Sequence, residues 1–207
     1  QVTGSDRSDS ATVHRLKEHG AIVNIGHQAS QVQGADVVVV STAIANDNPE
    51  LIAAFDAEIP VIPRAEMLSE LMRFRQGVAV AGTHGKTTTT AMLARALQTA
   101  GLEPGYLVGG AVPELGELAG QARGPHFVIE GDEYDTAYFD KRPKFIHYQP
   151  SAAIVTSLEF DHADIYSDID AIKYAFASLA ELLPAGGALV GCGDWPELVD
   201  AVVVEVL

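Results

Sequence analysis

The segment "AGTHGKTTTTAML", Ala81 to Leu93, constrains this chain more than any other stretch. It sets two glycines and a Lys-Thr pair between the apolar run "GVAV" and an amphipathic stretch that closes at Gly101. Glycines let backbone N–H groups approach an anion, the N-terminus of the following helix adds positive potential, and a lysine supplies a full charge. Such a device needs a strand leading in, a helix leading out and a parallel sheet to hold both. Gly82 and Gly85 provide the turn, Lys86 the charge and Thr87 the hydroxyl that meets Mg²⁺, with Thr83, His84 and Thr88 beside them. The full pattern asks for a glycine where Val80 stands, so this loop is shorter than the usual one. Thr88 to Thr90 are β-branched and poor helix formers, so their hydroxyls either serve the ligand or are simply structural.

The rest of the chain supplies the sheet. "SATVHRLKEHG" reads as a short helix closed by Gly20, and "AIVNIG" and "ADVVVVST" as buried strands. "DNPELIAAFDAE" puts Asn48 at an N-cap and Pro49 at the first helical position, where a missing N–H costs nothing. "VIPR" then reads as a strand and "AEMLSELMRF" as a helix. From Gly77 a second series follows, with strands in "GVAVAG", "GYLVGG", "HFVIEGDE", "AAIVTSLEF" and "GALVG" and helices from Lys86 and over "DIDAIKYAFASLAELLP". The spacing puts Met92, Leu93, Ala96 and Leu97 together on one apolar face of the helix from Lys86. Alternating strands and helices mean an α/β fold. Residues 1–75 read as a Rossmann-like domain lacking its first strand, and 76–207 as a nucleotide-binding domain. The chain opens at what reads as a strand end and stops in the apolar run "AVVVEVL", as an internal piece of a longer protein would.

A magnesium-nucleotide site also needs carboxylates at the carboxyl ends of neighbouring parallel strands, the edge that carries ligands in open α/β sheets. "HFVIEGDEYD" delivers Glu130 directly after an apolar strand, with Asp132, Glu133 and Asp135 behind it. "AAIVTSLEFDHAD" does the same with Glu159, Asp161, His162 and Asp164. His162 is the distinctive residue, because histidine is uncommon at a magnesium site. In the first domain Ser5 and Asp6 follow a strand, where an acidic residue meets a ribose or instead turns the chain. His27, Ser41 and Asn48 are further candidates for a substrate groove.

Composition narrows the partners. A formal net charge of −15 repels nucleic-acid backbones and anionic membranes, so any phosphate must be held locally. The single cysteine, Cys192, allows no internal disulfide and reads as a small core residue of a protein in a reducing compartment. No apolar run is long enough to span a bilayer and no secretory signal opens the chain, which suits a cytoplasmic enzyme.

Taken in order, "GSD", "STAIANDNPE", "AGTHGKTTTTAML", "VIEGDEYD" and "LEFDHADIY" resemble the Mur ligase family over the whole length. The resemblance implies a three-domain, ATP-dependent ligase that adds amino acids or peptides to UDP-N-acetylmuramic acid (UDP-MurNAc), of which this chain holds most of the first domain and the front of the second. It implies that Gly82 to Thr88 hold ATP, that Thr87 and Glu130 hold one Mg²⁺, and that His162 helps hold a second. Lys86, Glu130 and His162 are then the catalytic set, and Asp135 joins the substrate residues. His84 together with "STAI" and "DNPE" is similar to the branch acting on UDP-MurNAc itself. "EGDEYDTAYFDKRPKFIHYQP" is similar to members that take a murein tripeptide, L-Ala-γ-D-Glu-meso-diaminopimelate, in peptidoglycan recycling, with L-alanine as the alternative amine. Gly131 replaces a more usual alanine, and Phe176 stands where some relatives carry a carbamylated lysine, so that modification is not expected here. Two readings from other classes remain open: a P-loop switch that hydrolyses nucleotide only to change shape, and a dinucleotide-binding oxidoreductase, which lacks a complete G-x-G-x-x-G.

Overall fold

The structure, a computed structural model, describes residues 1–41, 43–110, 112–120, 122–132, 135–137, 140–143, 145–159 and 168–203. The chain divides into two compact units, Gln1–Met67 and Leu68–Leu207.

In the first unit β1 (Thr3–Asp6) pairs in parallel with β2 (Ile22–Ile25) across α1 (Ala11–Glu18). β3 (Val38–Val40) pairs in parallel with β4 (Val61–Pro63) across α2 (Pro49–Asp56). These are two separate two-stranded sheets. This corrects the expectation of buried strands, since Ile22, Ile25 and Val39 are each more than two-fifths exposed. A pair of strands lacks the neighbours that cover a central strand on both faces. The helix starts follow the sequence: Ser10 accepts from the Val13 N–H at 3.3 Å, and Asn48 accepts from the Glu50 N–H at 2.8 Å with Pro49 next in line.

α3 (Arg64–Met72) leads into the second unit, whose frame is a six-stranded sheet. Its strands are β5 (Gln76–Ala81), β6 (Gly105–Leu107), β7 (Ala119–Gly120), β8 (His126–Glu130), β11 (Ala152–Val155) and β12 (Ala188–Gly191). They lie in the order β12-β11-β5-β8-β6-β7, parallel except for β7. Before β11 come a hairpin of β9 (Asp135–Ala137) and β10 (Asp140–Pro143) and the short α5 (Phe145–Tyr148), none of which the sequence pattern announces. Alternate residues of one strand enter opposite cores. Ala79 and Ala81 of β5 pack with Ile129, Val155 and Phe176 on one face, and Val80 packs with Ala94, Tyr106 and Val128 on the other. Val80 therefore fills a fully buried strand position, which is why the loop begins only at Gly82.

α6 (Ile169–Glu181), capped by Asp168, buries Ile172, Phe176 and Leu179 on the first face, and α7 (Pro196–Val203) adds Leu198. α4 (Lys86–Thr99) covers the other face, and here the expected stripe holds only in part, with Leu93 and Leu97 packed against that core and Ala96 exposed. Its buried residues are Thr90, Ala91 and Ala94, whereas Met92 is 67% exposed. Small side chains let the helix lie close to the sheet, and that proximity outweighs the larger apolar group on the adjacent stripe. Gly101, in the left-handed region at φ +75°, ends the helix as expected. Among the described residues no helix is long and apolar enough to cross a membrane.

Candidate active site

β5 lies between β8 and β11, so the loop after Ala81 emerges where two neighbouring strands also end. Val155 is in register with Ala81, and Glu130 with Val80. Gly82 adopts φ +126°, and a Cβ there would sit 2.3 Å from Thr156 Oγ1 and 2.9 Å from Ser157 N. Only glycine fits that position. Gly85 caps α4 in the left-handed region at φ +80° with no side-chain bond, so no side chain competes for the first N–H groups of the helix.

The loop is fastened to the segment after β11. Thr83 N–H donates to Ser157 O at 3.1 Å, and His84 N–H donates to Ser157 Oγ at 2.8 Å. Glu159 N–H donates to Thr83 Oγ1 at 2.9 Å, and the Thr156 hydroxyl donates to the His84 carbonyl. The His84 ring is exposed, with Nε2 3.6 Å from the Glu159 carboxylate. Lys86 Nζ donates to Gly82 O at 2.6 Å and Thr83 O at 3.4 Å, so its charge sits over the loop. Thr88 is exposed beside the cavity that α4 forms with Val112, Pro113 and Leu115, whereas Thr90 is fully buried and structural.

Glu130 is buried with both oxygens engaged. Oε1 accepts from the Gly109 N–H at 2.6 Å and Oε2 from the Thr87 hydroxyl at 3.2 Å. A hard dication takes oxygen donors, and the Thr87 hydroxyl with the Glu130 carboxylate is a fitting pair for Mg²⁺. Among the described residues no three His, Cys, Asp or Glu side chains gather as a metal cluster. His162, like Asp161 and Asp164, lies outside the described residues, as does the Asp135 side chain; the Asp135 backbone opens β9.

In the first unit Ser5 and His27 come together, Ser5 Oγ lying 2.9 Å from His27 Nδ1. Glu50, which sequence reasoning missed, completes the group and accepts from the Ser5 hydroxyl at 2.8 Å. Asn48 takes part only through the N–H of Glu50. Asp6 accepts from the Ser8 N–H at 2.9 Å and so shapes a turn, and the Ser41 carbonyl accepts from Ile44 N–H in another. Thr156, Ser157 and Gly109 were missed as well. Hydroxyls just past a strand next to the phosphate-loop strand are the signal that would have found the first two.

Comparison with known proteins matches two successive stretches of the chain. A family model described as "Mur ligase family, catalytic domain" matches residues 1–76, and one described as "Mur ligase middle domain" matches residues 80–202. The chain belongs to the Mur ligase family. Members of this family are ATP-dependent ligases. The chain is 45% identical to a UDP-N-acetylmuramate–L-alanine ligase of Nitrosospira multiformis, over 100% of its own length and 40% of that protein. It is 48% identical to the ligase of the same name from Chromobacterium violaceum, over 95% of its length and 41% of the relative. The chain thus spans about two-fifths of the curated relatives it matches. Among solved structures, the Neisseria meningitides UDP-N-acetylmuramate:L-alanyl-gamma-D-glutamyl-meso-diaminopimelate ligase superposes with a TM-score of 0.82 at 39% identity, covering 99% of this chain and 67% of that one.

Proposed function

We propose that the enzyme to which this Mur ligase chain belongs joins the lactyl carboxylate of UDP-MurNAc to the α-amine of an L-alanyl group. Forming an amide from a carboxylate in water is uphill, so the carboxylate is first made a better electrophile. It attacks the γ-phosphorus of ATP, ADP departs, and the resulting acyl phosphate is opened by the amine with loss of phosphate. Positioning and charge neutralisation carry such a transfer. Backbone N–H groups of Gly85, Lys86 and Thr87 line the phosphates and Lys86 supplies charge to the β- and γ-oxygens. Thr87 and Glu130 would hold Mg²⁺, with His162 at a second ion, and the metal supplies charge neutralisation at the transferring group when bound. The observation that carries this reading is the glycine-turned loop at the carboxyl edge of β5, with Lys86 above it and Glu130 on the adjoining strand end.

The amine is free L-alanine if the names of the sequence relatives transfer. A second reading, the tripeptide that begins with L-alanine, is supported by "EYDTAYFDKR" and by the name of the Neisseria structure. ADP release by the full-length protein with UDP-MurNAc, ATP and Mg²⁺ separates them when each amine is offered alone. Turnover with alanine only establishes the first reading, and turnover with the tripeptide only establishes the second. ADP release that ignores UDP-MurNAc overturns both and favours a nucleotide switch.

A further inference from the structure

β6 and β8 are neighbouring parallel strands, with Leu107 in register with Ile129. Gly109, just past the end of β6, therefore comes up beside Glu130, the last residue of β8. Its N–H donates to Glu130 Oε1 at 2.6 Å, a short bond of the kind a carboxylate draws from a backbone amide. A Cβ on Gly109 would stand 3.0 Å from Glu130 Oε2 and 3.4 Å from the carboxyl carbon. Gly109 lies outside the left-handed region, so it is the carboxylate and not the backbone that keeps a side chain out of this position. The two oxygens of Glu130 are thus held in different ways. The amide on Oε1 is fixed in the chain and has no lone pair to offer a cation, whereas the Thr87 hydroxyl on Oε2, at 3.2 Å, has lone pairs that can meet the same ion.

We propose that the Gly109 N–H makes Glu130 a one-oxygen ligand, withholding Oε1 and presenting Oε2, and that this selects Mg²⁺ over Ca²⁺ at the nucleotide site. This rests on the reading that Thr87 and Glu130 hold the metal. An octahedral cation with ligands at about 2.0–2.1 Å cannot fill two corners from one carboxylate, whose oxygens lie too close together. Ca²⁺ has a larger and looser shell at about 2.3–2.6 Å and gains from two-oxygen binding. Pinning Oε1 therefore costs Mg²⁺ nothing and denies Ca²⁺ its second oxygen. Glu130 is buried, so water does not compete for the amide that does the pinning. Gly109 is a positioning residue, acting through the carboxylate.

The test is metal binding to the full-length enzyme in excess over ADP, with Mn²⁺ followed by electron paramagnetic resonance and displaced by Mg²⁺ or by Ca²⁺. Gly109→Ala should lower the preference for Mg²⁺ over Ca²⁺ by about 10-fold, the worth of one hydrogen bond to a charged group. Glycolic acid in place of Gly109 deletes the N–H, adds no Cβ and should do the same; it serves if Gly109→Ala does not fold. Gly110→Ala, whose Cβ would meet Thr87 Cγ2 at 3.4 Å and not the carboxylate, should keep the parent's preference. A preference unchanged in both Gly109 variants, with Mn²⁺ binding weakened in Glu130→Ala, overturns the pinning and leaves the metal reading standing. A fall in Gly110→Ala as large as in Gly109→Ala also overturns it, because the shape of the loop would then be the cause. Mn²⁺ binding unaltered in Glu130→Ala removes the metal reading and the proposal together.

Discussion

The two polar centres of this molecule are built in opposite ways. In the second unit the glycine loop is a backbone structure: two glycines in the left-handed region, loop amides bonded to Ser157, and a frame of strands buried on both faces. In the first unit the Ser5, His27 and Glu50 group is a side-chain structure on strands that are half-exposed. A backbone cradle recognises what all nucleoside triphosphates share, and few substitutions alter it short of breaking it. A side-chain group can be retuned one residue at a time.

Substitutions can break or sharpen that contrast. The largest effect is expected for Lys86→Ala, which removes the one side-chain charge of the loop: turnover should fall about 10³-fold, while the protein stays folded and still binds nucleotide through its backbone. Ligase activity that survives in a folded Lys86→Ala enzyme would sink the phosphate-loop assignment. Gly82→Ala attacks the backbone itself, since its Cβ would collide with Thr156 and Ser157. A loss of about 2–4 kcal/mol in denaturant-monitored stability is expected, together with loss of ATP binding by calorimetry. Normal ATP affinity in this variant would show that the loop does not depend on that close approach. Met92→Ala should be the mildest, within about 0.5 kcal/mol of the parent in the same denaturant titration, because the side chain is exposed. A cost of a core truncation there would restore the stripe expected from sequence and count against the close-packed Thr90, Ala91 and Ala94 face.

What could be read from sequence was whatever has a local cause. The loop glycines, the Asn48 cap with Pro49, the Gly101 stop and the alternation of strands and helices each follow from the conformational limits of a few adjacent residues. Glu130 was legible because a carboxylate directly after an apolar strand has a place at a sheet edge before any contact is known. Strand order was less accessible, so the hydroxyls of Thr156 and Ser157, visible just past a strand, could not be set opposite Gly82 and His84 until β11 was known to adjoin β5. Glu50 was overlooked for the same reason, being a favourable first-turn acid by any local criterion. The α4 face was legible only in part, at Leu93 and Leu97, because two apolar stripes of similar period overlap and only the distance to the sheet decides between them.

The fastening of the loop also has a temporal side. Thr83 and His84 bond to Ser157 and Glu159, which lie 73 to 76 residues further along the chain. Contacts at such separation close slowly, and a protein made from its N-terminus acquires them only after the distant partner has left the ribosome. A nascent chain halted before β11 would carry the whole glycine loop and yet have nothing to brace it. The bracing of the loop is thus acquired in a later step of synthesis than the loop itself.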